Sequence, residues 1–290
     1  RQAARRGEHR REEQAPREDE FFFGRGLAGL REQLDRILAA DRRMGTELAP
    51  VLISGETGTG KTTIARWLHE RGPRAAAPLV EVNCSALPET LAESELFGHE
   101  KGAFTDARTA RMGLFEAAAG GSLFLDELAS LSLPLQAKLL TAIEDRRIRR
   151  LGGNKAIPVD VRIIAATNRD LRELAAARQF REDLLHRLDL FRVDLPPLRA
   201  RREDIVPLAE TLLRRLRRRH RLPAAVVTPE GARRLAAHDW PGNVRELAHE
   251  LERALVFEGE RLGFPRLTAP AGADAAADPA EAWFNAAFLF

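Results

Sequence analysis

Hydrophobic residues in this chain occur in two patterns, as short continuous runs and as longer stretches with helical spacing. Four apolar runs end on turn or polar residues, and they cover 51–53, 79–82, 123–125 and 161–165. Residues 62–71 and 135–143 lie between these runs and repeat apolar positions at helical spacing. Strands that alternate with helices predict an α/β fold, with a parallel sheet covered by helices on both faces.

The later part of the chain has only the helical pattern. Residues 197–262 repeat apolar positions at helical spacing, with Thr228 placed as the N-cap of one helix and Asn243 as the N-cap of another. Glu246 follows Asn243 at the third position, which is close to a capping box. This pattern predicts a small helical domain after an α/β domain over 21–196.

Both ends of the chain have compositions typical of linkers. Residues 1–20 hold many charged side chains and almost no apolar ones, so we expect a solvated linker or a frayed helix. Residues 263–290 are rich in Ala and interrupted by Pro, so we expect a linker or tail whose last aromatic residues could dock on another surface. Because the chain does not begin with Met, we also expect it to be a fragment of a longer protein.

Composition and charge exclude several classes of protein. The 290 residues carry 46 basic and 43 acidic side chains, and the net charge of +3 is too balanced to indicate a nucleic-acid-binding protein. Cys84 is the only cysteine in the sequence, which excludes an internal disulfide framework and a cysteine-rich zinc site. This use of cysteine fits a reducing compartment, and no apolar run approaches the length of about 18 residues that a membrane span needs. We therefore expect a cytoplasmic protein without a membrane segment.

A glycine-rich stretch between the first apolar run and the following helix matches the phosphate-binding pattern G-x-x-x-x-G-K-[ST] at every position. Its glycines let backbone N–H groups turn toward phosphate oxygens, and the helix N-terminus adds partial positive charge. Lys61 would contact the β- and γ-phosphates, and Thr62 would offer its hydroxyl to Mg²⁺. We therefore predict a nucleotide site formed by Gly55, Glu56, Thr57, Gly58, Thr59, Gly60, Lys61 and Thr62.

Two later strands end on polar residues that suit nucleotide hydrolysis. Asp126 and Glu127 directly follow the run 123–125, and Asn168 follows the next run. Asp126 can hold Mg²⁺, and Glu127 can act as the general base that polarises the attacking water. Asn168 can hydrogen-bond the γ-phosphate or that water, although by itself it fits a helix N-cap equally well. Two acids rather than one favour a hydrolase over a kinase, because the second carboxylate has a water to activate.

With these residues and several other sequence motifs, the chain resembles the AAA+ ATPases. Within them it resembles the sigma-54 activators, which are bacterial enhancer-binding proteins of the NtrC type. The resemblance covers about 21–262. The strings that carry it are GETGTGK (55–61), NCSAL (83–87), ELFGHEKGAFT (95–105), GSLFLDE (121–127), FREDL (180–184), LPPLR (195–199) and WPGNVREL (240–247). The resemblance implies a P-loop NTPase with a five-stranded parallel sheet flanked by helices, followed by a small helical lid.

The resemblance also implies cofactors and further site residues. ATP and Mg²⁺ would be the cofactors. Asn83 would couple to Glu127 as a switch that holds the carboxylate away from water until a neighbouring subunit engages. Arg245, at a helix start in the lid, would report the nucleotide to the lid. The segment Phe22–Arg25 would lie near the adenine base.

Two arginines gain a role in the same way. Arg181 and Arg187 would be arginine fingers that reach into the next subunit of a ring, a homo-oligomer of about six or seven chains. Only four of the 46 basic residues are lysines, so a single arginine carries little weight, and either one could equally be a surface residue. We place Arg181 somewhat ahead of Arg187.

The resemblance assigns a contact with sigma-54 to a loop that consists of Gly102, Ala103, Phe104, Thr105 and Asp106. A hairpin tip that starts with glycine can present Phe104 as an exposed apolar contact and Thr105 as a hydroxyl. Without the resemblance, Phe104 could equally belong to the core. The family loop usually reads Gly-Ala-Phe-Thr-Gly-Ala, whereas Asp106 replaces the second glycine here, and aspartate adds charge and removes backbone freedom.

Three functions follow from these observations. The first is a ring-forming ATPase that remodels the sigma-54 RNA polymerase holoenzyme to drive open-complex formation. The second is an ATP-binding oligomeric regulator that no longer activates sigma-54. This alternative stays open because Asp106 changes the loop that would contact sigma-54. The third is a general AAA+ unfoldase, which the loop strings disfavour. We expect DNA to be bound only through a domain outside this chain, since the arginine-rich run 214–221 fits a solvated helix face better than a DNA site.

Overall fold

The structure, a computed structural model, describes residues 21–44, 49–105, 107–220 and 224–267. An α/β part comes first, and a small lid follows it. In chain order, the helices and strands of the α/β part are α1 (Ala28–Met44), β1 (Val51–Ser54), α2 (Lys61–Arg71), β2 (Leu79–Asn83), α3 (Glu89–Phe97), α4 (Leu114–Ala117), β3 (Ser122–Asp126), α5 (Leu133–Asp145), β4 (Arg147–Arg149), β5 (Ala156–Pro158), β6 (Arg162–Thr167), α6 (Leu171–Ala176), α7 (Glu182–Leu188) and β7 (Phe191–Asp194).

Five of these strands form one parallel sheet in the order β2-β3-β6-β1-β7, which confirms the predicted sheet. All four predicted strands belong to it. The hydrophobic pattern did not find the fifth strand, β7, because it lies at the edge of the sheet and only Val193 in it is fully buried. The short strands β4 and β5 pair separately as an antiparallel ribbon.

Apolar side chains fill a core on each face of the sheet. Leu123 and Leu125 of β3 pack in one buried cluster with residues of α3, α5 and α7. Phe124, between them, packs in the other cluster with residues of α1 and α2. Because successive strand residues point to opposite faces, a strand covered on both sides is apolar along most of its length. This is why β1, β3 and β6 appear in the sequence as continuous apolar runs.

All five strands end at the same edge of the sheet because they are parallel. At this edge β1 leads into the glycine-rich stretch, β3 leads into Glu127, and β6 leads into Asn168. The register also pairs Asn83 with Asp126. The fold therefore gathers candidate residues from four separate stretches of the sequence at one edge.

In the part of the lid that the structure describes, the α-helices and strands are α8 (Ile205–His220), β8 (Val226–Val227), α9 (Pro229–Ala237), α10 (Asn243–Phe257) and β9 (Arg261–Leu262). The predicted helical lid is confirmed, with one feature that the hydrophobic pattern did not show, since β8 and β9 pair as parallel strands. Two-residue strands are too short to produce a recognisable sequence pattern. Trp240 and Phe264 are fully buried in the lid core, which therefore continues past the predicted boundary at 262.

The two predicted helix caps of the lid have different outcomes. Thr228 caps α9 as predicted, and its hydroxyl accepts a hydrogen bond from the N–H of Gly231 at 3.0 Å. The prediction for Asn243 was wrong, because Gly242 occupies the N-cap position of α10 and Asn243 is the first helical residue. Glu246 still reaches back to the N–H of Gly242, at 2.7 Å.

Several sequence predictions fall wholly or partly on residues that the structure does not describe. Residues 1–20 and 268–290, where linkers are expected, lie outside the described ranges, and so does Arg221. The other arginines of the basic run lie in α8, as expected for a helix face. Among the described residues, no helix is long and apolar enough to cross a membrane.

Candidate nucleotide site

The glycine-rich stretch forms a tight loop between β1 and α2, which we call the phosphate loop (residues 55–60). Gly58 and Gly60 have φ angles of 81° and 107°, in the left-handed region that disfavours side chains. A Cβ atom on Gly58 would also lie 2.3 Å from the carbonyl oxygen of Gly242 in the lid. The glycine at this position is therefore required both by the backbone conformation and by the close approach of the lid.

Lys61 is the first residue of α2, and its side chain folds back into the phosphate loop. Its Nζ donates hydrogen bonds to the carbonyl oxygens of Gly55 at 2.9 Å and Glu56 at 3.1 Å. Burial lowers the pKa of Lys61, and the carboxylates of Glu127 and Asp126 partly oppose this shift. The loop thus holds a buried ammonium group at the point where phosphate oxygens would bind.

Thr62 and Asp126 approach each other beside this ammonium group. The Thr62 hydroxyl lies 3.5 Å from Oδ2 of Asp126. A hydroxyl and a carboxylate are oxygen ligands of the kind that Mg²⁺ prefers, and Mg²⁺ usually takes its remaining ligands from phosphates and water. Within the described ranges, no cluster of three or more His, Cys, Asp or Glu residues could hold a metal. These two residues therefore fit Mg²⁺ that arrives together with a nucleotide.

Glu127 follows β3 in a left-handed backbone conformation, with φ at 51°. Its N–H donates to Oδ1 of Asp126 at 2.9 Å, so the two acids form one turn. The expected link between Asn83 and Glu127 is not formed as a hydrogen bond between these two described residues. The Asn83 side-chain oxygen instead accepts from the backbone N–H and the hydroxyl of Ser85, at 2.9 and 2.7 Å. Asn83 lies next to Asp126 in the sheet but is engaged with its own turn.

Asn168 connects the end of β6 to the phosphate loop. Its Nδ2 donates to the Thr57 hydroxyl at 3.0 Å. The N-cap of the following helix, α6, is Asp170 rather than Asn168. Of the two interpretations of Asn168 left open by the sequence, the geometry therefore favours a place in the nucleotide site.

The two candidate arginine fingers lie at the two ends of α7. Arg181 is half-buried at the N-cap position and donates to Asp183 at 3.0 and 2.6 Å. This ion pair raises the pKa of Arg181, so the guanidinium stays charged. Arg187 lies in the last turn of the helix and lines a small cavity with Asp160. Among the described contacts, neither arginine bonds to the phosphate loop of its own subunit.

Arg245 and the segment near the start of the chain flank the phosphate loop from the lid side. Arg245, in the first turn of α10, lines a cleft of ≈ 490 Å³ together with Thr57. In the segment Phe22–Arg25, Phe22 packs on the lid core, whereas Phe23 stacks edge-on against Trp67 of the α/β core at 5.3 Å. The segment therefore joins the two parts of the molecule beside the loop.

Two buried charged residues near this junction were missed by sequence reasoning. Asp204 accepts a hydrogen bond from the N–H of Gly26 at 3.1 Å, and a Cβ atom on Gly24 would lie 2.0 Å from its carboxylate. Arg201 donates to the carbonyl oxygen of Thr59 at 3.3 Å. Both side chains are buried, and burial lowers the pKa of Arg201 and raises that of Asp204. Nothing in their local sequence distinguishes them from surface charges.

The predicted contact loop at 102–106 lies between α3 and α4. Gly102 has a φ of 83°, as a tight turn requires. Phe104 is 37% exposed, and its ring packs edge-on against His99 at 5.0 Å. His99 is itself held by Ser94 at 2.7 Å and by the carbonyl oxygen of Thr109 at 3.0 Å. The exposed tip expected for Phe104 is thus a partly covered one, and Asp106 lies outside the described residues.

The parallel five-stranded sheet, the phosphate loop at its carboxyl edge and the C-terminal lid define the AAA+ class. Residues 27–194 match the family described as the sigma-54 interaction domain, and residues 199–271 match the AAA+ ATPase lid domain. The chain therefore belongs to the sigma-54 interaction domain family.

Several curated proteins are similar to this chain. It is 48% identical over 239 residues to the DNA-binding transcriptional activator HyfR of Escherichia coli K12, a match that covers 82% of this chain and 35% of HyfR. It is 46% identical over 250 residues to the response regulator protein FleR of Pseudomonas aeruginosa, covering 85% of this chain and 53% of FleR. The chain thus spans about a third to a half of these relatives.

Solved structures are similar over most of this chain. NtrX from Brucella abortus in complex with ADP superposes with a TM-score of 0.79 at 32% identity, covering 96% of this chain and 61% of that one. NtrX in complex with ATP superposes with a TM-score of 0.72 at 32% identity, covering 88% of this chain and 56% of that one.

Proposed function

We propose that this chain is the ATP-hydrolysing core of a sigma-54-dependent transcription activator. In this proposal it binds ATP with Mg²⁺, assembles into a ring, and uses hydrolysis to remodel the sigma-54 RNA polymerase holoenzyme toward open-complex formation. The observation that carries the proposal is the convergence of Lys61, Thr62 and Asp126 at one edge of the sheet, in a chain of the sigma-54 interaction domain family. A relative named as a transcriptional activator and a neighbour in complex with ATP support it.

Each group at the site has a role in this proposal. Lys61 would exchange its two loop carbonyls for phosphate oxygens, which bind an ammonium group more strongly because they are charged. Thr62 and Asp126 would hold Mg²⁺, which supplies positive charge to the transferring phosphoryl group. Glu127 would take a proton from the attacking water. Asn168 would orient the γ-phosphate or that water from its place beside Thr57.

The proposed roles of Arg181 and Arg187 depend on assembly into a ring. We expect the ATPase rate per chain to rise with protein concentration, because an arginine finger acts on the site of a neighbouring subunit. Mixing Arg181→Ala with Glu127→Gln should restore part of the activity, since the Arg181→Ala subunit keeps Glu127 and receives Arg181 from its neighbour. Steady-state ATPase assays over a dilution series would measure both effects.

The controls for the mixing experiment are the Arg181→Ala and Glu127→Gln variants, each assayed alone. Mixing Arg187→Ala with Glu127→Gln in the same way decides which of the two arginines is the finger. A rate per chain that is constant from dilute monomer to concentrated protein would argue against fingers that act between subunits.

The contact loop is the part that concerns sigma-54. We expect Thr105→Ala to hydrolyse ATP at a near-normal rate yet to lose association with sigma-54 in the presence of a transition-state analogue. Thr105 is exposed on the contact loop, so its hydroxyl can serve a partner without taking part in hydrolysis. Thr90→Ala, an exposed threonine on α3, is the matched control. Loss of ATPase activity in Thr105→Ala would contradict this division of roles.

The second function, a regulator that no longer activates sigma-54, is favoured by Asp106 in the contact loop. Asp106→Gly should preserve or strengthen association with sigma-54, because glycine restores backbone freedom to the loop. If the natural chain does not associate and Asp106→Gly does, the second function holds. If neither associates, the partner is wrong while the ATPase proposal stands.

A further inference from the structure

The phosphate loop is bonded to the lid through Glu56, whose side chain points to the lid rather than into the nucleotide site. The Glu56 carboxylate accepts two hydrogen bonds from the Arg199 guanidinium, at 2.8 and 2.6 Å. It accepts a third from the side-chain amide of Asn243, at 3.1 Å. Arg199 lies in the first turn of the lid, and Asn243 is the first residue of α10. We call these three residues the clasp.

Asn243 is the centre of the clasp. It is fully buried, and its φ of 52° lies in the left-handed region that asparagine tolerates better than most residues. Its side-chain oxygen accepts from the N–H of Leu198 at 2.7 Å, and its amide donates to Glu56 and to the carbonyl oxygen of Thr57 at 3.1 Å. One buried side chain therefore bonds two residues of the phosphate loop and one of the lid.

The lid also bonds the backbone of the phosphate loop at three successive carbonyl groups. These carbonyls belong to Thr57, Gly58 and Thr59, and the lid donors are Asn243, Val244, Arg245 and Arg201, at 2.9–3.3 Å. A trans peptide unit is planar, so its N–H points opposite to its C=O. By holding the carbonyls of Thr57 and Thr59, the lid turns the N–H groups of Gly58 and Gly60 away from itself. Backbone N–H groups of such loops are the donors that surround phosphate.

We propose that the clasp is a positioning device, through which the lid sets the geometry of the phosphate loop and hence its affinity for nucleotide. Glu56 and Arg199 act from outside the nucleotide site and do not touch the nucleotide. The inference rests on the proposed ATP-binding function. In this proposal, a movement of the lid changes the affinity for nucleotide through its bonds to the phosphate loop, without any lid residue having to contact a phosphate.

The exposure of the ion pair between Arg199 and Glu56 separates this role from a role in stability. The side chains of Arg199 and Glu56 are 43% and 42% exposed, and ion pairs this exposed add little to folding stability. The hydrogen bonds from Arg199 and then Asn243 hold the pKa of Glu56 at about 2, so Glu56 is ionised at neutral pH. Because the pair is this exposed, removing the charge of Glu56 should change the loop and lower the folding stability only slightly.

The test is a double-mutant cycle on nucleotide affinity with Glu56→Gln and Arg199→Gln. We expect each single variant to raise the Kd of a fluorescent ATP analogue by about fivefold, and the double variant to be no weaker than either single variant, as for contacting residues. Arg199→Lys, which keeps the charge but not the paired hydrogen bonds, should be intermediate. The KM for ATP should rise in parallel while kcat changes by less than about twofold, as for lost binding. The melting temperature should stay within about 2 °C of the natural chain.

Glu81→Gln is the matched control. Glu81 accepts two hydrogen bonds from Arg66, at 2.7 and 2.8 Å, in a partly exposed pair that lies within the α/β part. The Kd of this variant should not change. If Glu56→Gln binds the analogue as tightly as the natural chain, or if the two variants have additive effects, the clasp does not position the loop. If the natural chain binds no analogue, the proposed function itself fails, and the clasp with it.

Discussion

We expect Lys61→Ala to lose ATP binding by at least about a hundredfold while the chain stays folded. Lys61 is the ammonium group that the phosphate loop surrounds, within 3.1 Å of two loop carbonyls. Without it, the negative charge of the phosphates would face Asp126 and Glu127 without a fixed compensating charge from the loop. Equilibrium binding of a fluorescent ATP analogue would measure the loss directly.

The fold should tolerate this change because the charge of Lys61 is not favoured by folding. Burial lowers the pKa of Lys61 below its usual value, so the folded chain holds its charged form less readily than the unfolded chain does. A melting temperature at or above that of the natural chain is therefore expected. Lys138→Ala, which removes a half-exposed lysine paired with Glu93 on the surface, is the control and should bind normally. Tight ATP binding by Lys61→Ala would refute the assigned site.

Glu127→Gln should bind ATP within about twofold of the natural chain but turn it over at least about a hundredfold more slowly. Glutamine keeps the shape of the side chain and removes the carboxylate that would accept the proton. Glu127 has a left-handed backbone conformation, and its backbone N–H donates to the side chain of Asp126. The backbone therefore sets the position of residue 127, and the Glu127 carboxylate is not needed for it. Single-turnover hydrolysis measured beside equilibrium binding would separate the two effects.

The control for this variant is Glu144→Gln, an exposed acid on α5 that lies in no candidate site. It should hydrolyse ATP at the natural rate. Turnover by Glu127→Gln near that of the control would remove Glu127 as the general base, and Asp126→Asn would then become the next variant to test.

The success of the sequence predictions depended on how local each feature is. The central strands were predicted because burial on both faces forces a continuous apolar run, as in β6. The phosphate loop was predicted because its chemistry is contained in consecutive residues. The edge strand β7 was missed because only one of its residues is fully buried. The pairing of β8 with β9 was missed because a strand of two residues is too short to show a periodic hydrophobic pattern.

The site has the same division. The sequence by itself determined that Lys61 and Thr62 follow a phosphate loop and that acids follow a buried strand, since these relations are set by neighbours in the chain. Only the tertiary structure decided that Asn168 bonds Thr57 and that Arg201 bonds Thr59, because these partners lie far apart in the chain.

The tertiary structure alone also decided that the side chain of Glu56 points toward the lid. The motif places Glu56 among the nucleotide-binding positions, yet its partners Arg199 and Asn243 lie 143 and 187 residues further along the chain. A motif specifies which backbone can surround a phosphate, because that depends on local φ and ψ angles. Where a side chain on that backbone points depends on what packs against it, and here this is the lid, which follows the last strand of the sheet in the chain.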